Sequence, residues 1–327
     1  MVSKQQQPHV GNTPFVQLKH IVSSEHAMIW AKCEYFNPTG TAKDRMYEFM
    51  IDHLEQLQEI RPGMTLVDAS TGNGGGALAR AAQLKGYRSV IVMPAGMTQE
   101  RKTVIKSWQG QIVEVPADVF LAGAELAARQ YAAKHPDAYY LDQGATPLNR
   151  QAMRAIGREI VAGCRKHDLK PDVFVCSIGT GGTYTGVATE LENAFPGILK
   201  IGIEVNKSAP LHAKRHGSAF QHHPHNLMGL GPGRIGANLD EQLVDEVVTV
   251  SGDDAWQMMK RLVEEEGLET GPTSGANVFV AREYAARLGP SHAIVTVLFD
   301  AAWKYRSIWD GQYELYQEDA LALTSEQ

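Results

Sequence analysis

Residues 37–45 read Asn-Pro-Thr-Gly-Thr-Ala-Lys-Asp-Arg, which places one lysine, Lys43, at the end of a turn-forming run where a helix should begin. A lysine buried at such a position can lose its proton, because burial disfavours the charged ammonium. The neutral amine can then form an imine with an aldehyde. The stretch therefore predicts a reactive lysine at the start of a helix.

A glycine-rich turn at residues 70–76 reads Ser-Thr-Gly-Asn-Gly-Gly-Gly and lies between a strand-like run and a helix-like run. Its hydroxyls, amide and bare backbone N–H groups suit a carboxylate ligand, and glycine permits close approach of the backbone. A flexible turn is the alternative explanation. Function is favoured, because three consecutive glycines before a helix cost conformational entropy that packing alone does not recover.

A second turn at residues 176–183 reads Cys-Ser-Ile-Gly-Thr-Gly-Gly-Thr, after an apolar run and before a helix. Backbone N–H groups at the positive end of a helix dipole can converge on a phosphate. The turn lacks both the Walker lysine and the dinucleotide-binding spacing. A tight turn without a ligand would explain an isolated motif of this kind equally well. Together with Lys43, however, the two turns suggest pyridoxal phosphate.

The composition sets limits on the class of protein. A chain of 327 residues favours two domains, and 43% hydrophobic with 21% charged residues is typical of a soluble globular protein. A net charge of −6 disfavours nucleic acid as a partner. We expect no membrane association and a cytoplasmic location, because there is no long apolar run and no apolar segment at the start.

No metal site is expected either. The three cysteines lack zinc or redox spacing, and we interpret them as reduced, mostly buried thiols. The histidines between positions 212 and 225 have no cysteine or compact carboxylate set beside them, so a polar loop is the favoured interpretation.

Short apolar runs alternate with amphipathic stretches, which predicts an α/β fold with parallel strands and helices on both faces. The first block is predicted to contain strands 65–68, 89–93 and 112–115 and helices 76–84, 99–108 and 121–135. The second is predicted to contain strands 173–176, 200–204, 246–250 and 293–298, helices 149–167, 184–194, 253–266 and 275–288, and an irregular segment at 206–238. Periodicity breaks near residues 144–149, where a domain boundary is expected.

Several ordered motifs resemble the cysteine synthase and cystathionine β-synthase family, the fold-type II or tryptophan synthase β-like enzymes that use pyridoxal 5'-phosphate. The likeness runs from Gly-Asn-Thr-Pro at 11–14 through the stretches above to residues 229–233, 271–275 and the region near 305. It implies two open, twisted, mainly parallel sheet domains with the active site in the cleft between them. The smaller domain would span 37–148, and the larger one 1–36 plus 149–327. A homodimer is also implied.

The resemblance also implies roles for particular residues. Lys43 would hold the cofactor as an internal aldimine and then act as the base at the substrate Cα. Asn73 would bind the phenolic oxygen of the cofactor, and Thr273 would lie against its pyridine nitrogen. The phosphate would be held by Gly179, Thr180, Gly181, Gly182 and Thr183. The substrate carboxylate would be bound by Ser70, Thr71, Gly72, Gly74 and Gln143.

A neutral hydroxyl beside the pyridine nitrogen makes the cofactor a weaker electron sink, which favours loss of a β-substituent over a long-lived carbanion. The implied function is β-elimination and β-replacement on a β-substituted L-alanine, with an O-acetylserine-, O-phosphoserine- or serine-like donor, an α-aminoacrylate intermediate and a small nucleophile. The rival enzyme is a serine or threonine dehydratase that releases a keto acid. A catalytically silent scaffold relative, or more remotely a nicotinamide-dependent dehydrogenase, is the alternative.

Four departures from the family pattern affect the substrate rather than the cofactor. Gly74 stands where threonine is usual, which we expect to open space beside the substrate. Ala152 replaces a common histidine, and Arg234 stands where an aromatic residue is common. Residues 300–305 read Asp-Ala-Ala-Trp-Lys-Tyr in place of Asp-Ser-Gly-x-Arg-Tyr. The sequence therefore predicts an altered substrate, either a larger acceptor or an unusual leaving group on serine.

Overall fold

The computed structural model describes residues 9–309. In this part of the chain the strands are β1 (Phe15–Leu18), β2 (Met28–Cys33), β3 (Thr65–Ala69), β4 (Arg88–Pro94), β5 (Gln111–Val115), β6 (Ala138–Tyr140), β7 (Val173–Ser177), β8 (Leu199–Val205), β9 (Glu246–Val250) and β10 (Ala293–Leu298). The α-helices are α1 (Lys43–Gln56), α2 (Asn73–Leu84), α3 (Gln99–Ser107), α4 (Phe120–Lys134), α5 (Leu148–Lys166), α6 (Gly182–Ala194), α7 (Pro210–Arg215), α8 (Gly252–Glu266) and α9 (Pro272–Leu288).

The strands form two sheets. One has six strands in the order β1-β2-β10-β7-β8-β9, and the other has four strands in the order β5-β4-β3-β6. Only the pairing of β1 with β2 is antiparallel within these two sheets. The predicted α/β fold with two mainly parallel sheets is confirmed. The four-stranded sheet comes entirely from residues 65–140, whereas the domain limits at 37 and 149 stay predictions.

Alternating side chains of the four-stranded sheet point to helices on opposite faces. On β3 and β4, Leu66 and Ile91 belong to the main hydrophobic core, whereas Val67 and Val90 pack with Ala124 of α4 in a separate cluster. Successive residues of a strand point to opposite faces, and both faces of a parallel sheet are normally covered. The continuous apolar runs that predicted these strands reflect this burial on both sides.

The predicted strands and helices all occur in the structure, with ends that differ by at most three residues. Three strands, β1, β2 and β6, were not predicted, and neither was the short helix α7 within the segment expected to be irregular. Helix α2 begins at Asn73, so the glycines at 74–76 are helical rather than part of a turn. The reason is close packing, since a Cβ on Gly75 would lie 2.8 Å from Ile91 and 2.9 Å from Ile105.

A buried ion-pair network fixes the start of α1 against the six-stranded sheet. The Arg45 guanidinium binds Glu34 at 2.6 Å (Nε to Oε2) and Glu159 at 2.6 Å (Nη1 to Oε1). Lys32 on β2 binds the other oxygen of Glu159 at 2.7 Å. Every charge in this network has a partner, as burial requires. The position of Lys43, two residues before Arg45, is therefore tied to the core.

None of the helices among residues 9–309 is both long and apolar enough to cross a membrane.

Gly186 of α6 packs directly against the backbone of α5. A Cβ at this position would lie 2.7 Å from the carbonyl oxygen of Arg150 and 2.8 Å from the amide nitrogen of Arg154. Backbone atoms cannot rotate away, so Gly186→Val should lower the free energy of unfolding by about 3 kcal/mol. Thr189→Val on the same helix is a control, which should cost about 1 kcal/mol through its lost hydrogen bond. Urea unfolding followed by circular dichroism measures both, and equal midpoints would contradict this packing.

Candidate active site

A cavity of about 610 Å³ lies between the two sheets. It is lined by the first residue of α1 and by the segments that follow β3, β7 and β10. The carboxyl ends of parallel strands are where open α/β sheets bind ligands. The two sheets therefore contribute to one site.

Lys43 is the first residue of α1, and its side chain lines this cavity. Its Nζ lies 3.9 Å from Met46 Sδ, a weak acceptor, and no ion pair of Lys43 occurs among the described residues. Burial lowers the pKa of the ammonium from 10.5 to about 8, and the nearby charge of Asp68 opposes this shift. A substantial fraction of the amine is therefore neutral at slightly alkaline pH.

Asp68 at the end of β3 is a buried carboxyl group that the sequence analysis did not select. It accepts hydrogen bonds from the Tyr47 hydroxyl at 3.0 Å, the Ala69 N–H at 2.8 Å and the Gln143 N–H at 3.2 Å. Burial raises the pKa of Asp68 to about 7, although these hydrogen bonds lower it. The signal available in the sequence was an acidic residue inside an apolar strand.

The turn after β3 keeps hydrogen-bonding groups available for a ligand. The Ser70 Oγ accepts from the N–H groups of Gly72 and Gly75, both at 3.0 Å, so its own proton can be donated elsewhere. The Thr71 hydroxyl donates to the Met228 carbonyl oxygen at 3.3 Å and so links the turn to the opposite side of the cavity. This edge of the cavity offers donors that suit a carboxylate.

The expectation that Gly74 opens space beside the substrate was wrong. A Cβ at this position would lie 2.9 Å from Gln143 Nε2 and 3.0 Å from Ser70 Oγ. The Gln143 amide occupies that volume because its Nε2 donates to the Ala69 carbonyl oxygen at 2.6 Å. The glycine therefore makes room for a protein side chain and not for a larger ligand.

The turn after β7 forms a cradle of free backbone donors. Among the described residues, the N–H groups of residues 179–183 donate no hydrogen bond. Side chains are excluded at positions 181 and 182, since a Cβ on Gly181 would lie 2.4 Å from the Leu239 nitrogen and one on Gly182 would lie 2.2 Å from Asn149 Oδ1. Gly181 also has a φ of +88°, in the left-handed region that glycine adopts without strain. An anion at the start of α6 would satisfy these donors.

Asn73 and Thr273 complete the lining at the starts of α2 and α9. The Asn73 amide donates to Asp300 Oδ2 at 2.7 Å and accepts from Lys304 Nζ at 2.8 Å. Thr273 is buried but presents its hydroxyl side chain to the cavity. Both polar groups are therefore fixed by secondary structure.

Most residues that the sequence analysis selected meet in this cavity, and two of them do not line it, Gly72 and Gly182. Gly72 has a φ of +142°, and the methylene stem of Arg101 crosses over it, with a hypothetical Cβ only 2.3 Å from Arg101 Cδ. Gly182 packs against Asn149 as described above. Both glycines therefore pack against protein atoms outside the cavity and shape the turns that line it.

The segment between β8 and β9 is not simply a polar loop. His225 is buried and lines the cavity, and desolvation lowers its pKa to about 4. His222 also lines the cavity, and its Nδ1 lies 2.8 Å from Ser208 Oγ. Within residues 9–309 no three His, Cys, Asp or Glu side chains are grouped closely enough to hold a metal ion.

Comparison with known proteins agrees with this geometry. The protein family described as pyridoxal-phosphate dependent enzyme, PALP, matches residues 6–300. The chain belongs to this family. A probable cysteine synthase of Bacillus subtilis is 34% identical over 299 residues, which cover 91% of this chain and 94% of the relative. A cysteine synthase of Staphylococcus aureus is 33% identical over the same shares of the two chains.

Solved structures of other PALP enzymes are also similar. O-ureido-L-serine synthase has a TM-score of 0.86 and 30% identity, covering 96% of this chain and 97% of that one. A hydrogen sulfide-producing enzyme in complex with an α-aminoacrylate intermediate has a TM-score of 0.83 and 30% identity, covering 94% and 90%. These likenesses support a PALP enzyme that carries out β-replacement on a serine-like donor.

The site fits the cofactor of this family. Pyridoxal phosphate needs an amine for its aldehyde, a cradle of donors for its phosphate and polar groups around its ring. This cavity contains Lys43, the turn at 179–183 with its unsatisfied N–H groups and no room for a side chain at Gly181, and Asn73 with Thr273. The PALP chain described here is therefore a pyridoxal-phosphate-dependent enzyme.

The lowered pKa of Lys43 predicts how fast its amine reacts with an acylating reagent. Only the neutral amine is nucleophilic, so labelling of the cofactor-free protein by acetic anhydride should rise with pH, with a midpoint of about 8. Exposed Lys170 provides an internal reference. In Asp68→Asn the midpoint should fall, because the carboxylate that favours the ammonium is gone. Peptide mass spectrometry measures both, and a wild-type midpoint near 10.5 would contradict the burial of the amine.

Proposed function

We propose that Lys43 binds the aldehyde of pyridoxal phosphate and then moves the Cα proton of the substrate. The observation that supports this role is a partly buried, desolvated amine with a pKa of about 8 in the same cavity as a cradle of unsatisfied donors. An amine used as nucleophile and base must be neutral for part of the time, and a pKa near the working pH makes this possible. No other lysine among the described residues lines this cavity.

The remaining residues of the cavity would hold the cofactor. The phosphate would accept from the N–H groups at 179–183, with the positive end of α6 adding favourable electrostatics. Asn73 would contact the phenolic oxygen, and Thr273 would face the pyridine nitrogen. When bound, pyridoxal phosphate supplies an electron sink for charge that develops at the substrate Cα.

The turn after β3 would bind the carboxylate of the amino-acid donor. The Ser70 hydroxyl can donate, because its lone pairs already accept from two backbone N–H groups. Thr71 and Gln143 also line the cavity. The start of α2 adds its positive dipole end, which favours an anion. The donor would thus be held by its carboxylate with its β-carbon free to react.

A threonine, Thr273, at the position proposed to face the pyridine nitrogen supports β-replacement. A threonine hydroxyl is neutral and does not hold the pyridine nitrogen protonated, whereas a carboxylate would. The cofactor is then a weaker electron sink, so departure of the β-substituent should accompany loss of the Cα proton. We therefore favour replacement at the β-carbon of an O-acetylserine-, O-phosphoserine- or serine-like donor by a small nucleophile.

We retain the hypothesis of an altered substrate. Its structural support is Arg234, because Gly74 does not open space for a ligand. Arg234 Nη2 lies 2.5 and 2.6 Å from the two carboxylate oxygens of Glu125 on α4. This ion pair joins the segment between β8 and β9 to a helix of the other sheet, and Glu125 lines the cavity. An aromatic residue at position 234 could not form this ion pair with a residue of the cavity wall.

The two alternatives make different products. A serine or threonine dehydratase would release a keto acid without an added nucleophile, and a scaffold would release nothing. The desolvated amine of Lys43 and the N–H groups at 179–183 that lack an acceptor argue against a scaffold, because binding a partner elsewhere needs neither. We also propose a cytoplasmic homodimer, supported by the resemblance to cysteine synthases, which light scattering of the purified protein tests.

The reaction class can be tested with a matrix of donors and nucleophiles. The purified protein with pyridoxal phosphate should be incubated with O-acetylserine, O-phosphoserine or serine, with and without sulfide and other small sulfur, nitrogen or oxygen nucleophiles. We expect β-substituted alanines, identified by mass spectrometry, and a yellow protein. Lys43→Ala should reduce the rate by about a thousandfold or more, as expected for loss of a catalytic base and imine-forming residue. Keto acid as the main product, independent of nucleophile, would favour the dehydratase.

The same matrix tests the altered substrate. Efficient cysteine formation from O-acetylserine and sulfide, unmatched by other pairs, would reject that hypothesis and leave an ordinary cysteine synthase. A colourless protein after cofactor addition would favour the scaffold.

The phosphate cradle predicts that Gly181→Ala weakens cofactor binding by about tenfold or more, because a methyl group there meets the Leu239 backbone at 2.4 Å. Gly197→Ala is a matched control: Gly197 has a similar φ of +85°, but nothing lies within 4 Å of its Cβ position. Both variants carry similar backbone strain, and only the first disturbs the cradle. Fluorescence titration of the cofactor-free proteins measures the Kd, and equal Kd values would contradict the assignment of the cradle.

A further inference from the structure

The side-chain amide of Asn73 is held by two charged groups of opposite sign. Its Nδ2 donates to the Asp300 carboxylate at 2.7 Å, and its Oδ1 accepts from the Lys304 ammonium at 2.8 Å. Both partners come from the segment after β10, more than 220 residues away in sequence. Each is almost completely buried, with exposed fractions of 1% for Asp300 and 2% for Lys304.

These two partners select one of the two possible orientations of the amide. Rotating the amide by 180° would place Oδ1 against the Asp300 carboxylate and Nδ2 against the Lys304 ammonium. Both contacts would then be repulsive, because a carboxylate only accepts and an ammonium only donates. Hydrogen bonds to charged groups are also the stronger ones. The orientation of Asn73 is thus determined from both ends.

The selected orientation leaves a donor for the cavity. An amide nitrogen has two hydrogens, and Asp300 accepts one of them. Asn73 lines the cavity, so the second hydrogen is available to a ligand there. The carbonyl oxygen is turned toward Lys304. A ligand oxygen carrying negative charge would therefore meet an N–H and not a lone pair.

Neighbouring groups hold both partners in place. The Tyr305 hydroxyl donates to Asp300 Oδ2 at 2.7 Å, which fixes that carboxylate. Lys304 is the third residue of the short 3₁₀ helix Ala302–Ile308, and its ammonium lies 5.3 Å from the centre of the Trp303 ring. This segment therefore acts as a support for the start of α2.

We propose that Lys304 is a positioning residue for the cofactor, which, together with Asp300, orients the Asn73 amide so that an N–H faces the phenolic oxygen. This inference rests on the proposed role of Asn73. Lys304 occupies a position where the family that this chain resembles usually has arginine. In this chain a single ammonium group therefore orients the amide in place of a guanidinium group.

The charges around Lys304 affect its pKa and leave its side chain mainly in the ammonium form at neutral pH. Burial lowers the pKa of Lys304 to about 8, and the carboxylates of Asp300 and Asp44 raise it while the Arg101 cation lowers it. Burial also raises the pKa of Asp44 to about 6. Between these two values Lys304 is mainly charged and Asp44 is mainly ionised, so their attraction is present near pH 7.

Lys304→Met tests the proposal, since methionine fills a similar volume without a donor. Only the Asp300 carboxylate then holds the amide of Asn73, so its N–H is less firmly oriented and its hydrogen bond to the charged phenolate is weakened. We expect the pH midpoint of the visible absorption of the bound cofactor to rise by about one unit, and the Kd for pyridoxal phosphate to rise about tenfold. Lys304→Arg should restore most of both quantities.

Two controls separate positioning from loss of stability. Lys200→Met removes another buried lysine, which binds Glu192 at 2.6 Å and Asp245 at 2.9 Å away from the cavity. It should lower the Tm without moving the absorption midpoint. Asn73→Ala should move the midpoint at least as far as Lys304→Met does. The Tm of each cofactor-free variant shows whether the protein is folded.

The outcomes distinguish this proposal from the one on which it rests. A wild-type midpoint and Kd in Lys304→Met, with both altered in Asn73→Ala, would overturn the role of Lys304 and leave that of Asn73. Wild-type values in both variants would overturn the role of Asn73 as well. A shift in Lys304→Met that the arginine variant reverses and Lys200→Met does not reproduce supports the proposal.

Discussion

The removal of one amine from bulk water is the constraint on which the site depends. Three consecutive residues at the start of α1 have different tasks. Asp44 accepts from the backbone and the hydroxyl of Thr39, both at 2.9 Å, and so closes the turn before the helix. Arg45 is locked into buried ion pairs. Lys43, between the turn and this anchor, has no charged partner in direct contact among the described residues and lines the cavity, where desolvation favours its neutral form.

The fold converts this local feature into a site for an anionic ligand. Helices α1, α2, α6 and α9 all begin at the cavity. The carboxyl ends of parallel strands lie at the same edge of each sheet, and ligands bind at that edge. Each of these helix starts contributes partial positive charge, and the turn that leads into α6 adds N–H groups without a hydrogen-bond partner among the described residues. A ligand with a phosphate or a carboxylate would therefore meet complementary electrostatics from several directions.

Much of this could be predicted from the sequence, for reasons that are local. Strands buried on both faces appear as continuous apolar runs, and turns that hold ligands appear as glycine-rich interruptions between a strand and a helix. The edge strands β1 and β6 were missed, because their side chains are only partly buried and their polarity is mixed. The start of α2 was placed too late, because three glycines argue against a helix unless close neighbours such as Ile91 and Ile105 are known.

Contacts between distant segments were not predictable from local pattern. The effect of Gly74 was misjudged because the side chain that fills its space, Gln143, comes from another loop, and the partners of Asn73 come from the far end of the chain. Asp68 is a similar case, since its importance depends on the burial that the sheet creates.

The most direct test of the account is to reduce the cofactor-loaded protein with borohydride and map the labelled peptide by mass spectrometry. The account predicts a pyridoxyl group on Lys43 and on no other lysine. A labelled lysine elsewhere in the chain, with Lys43 unmodified, would contradict the central claim that desolvation at the start of α1 creates the reactive amine.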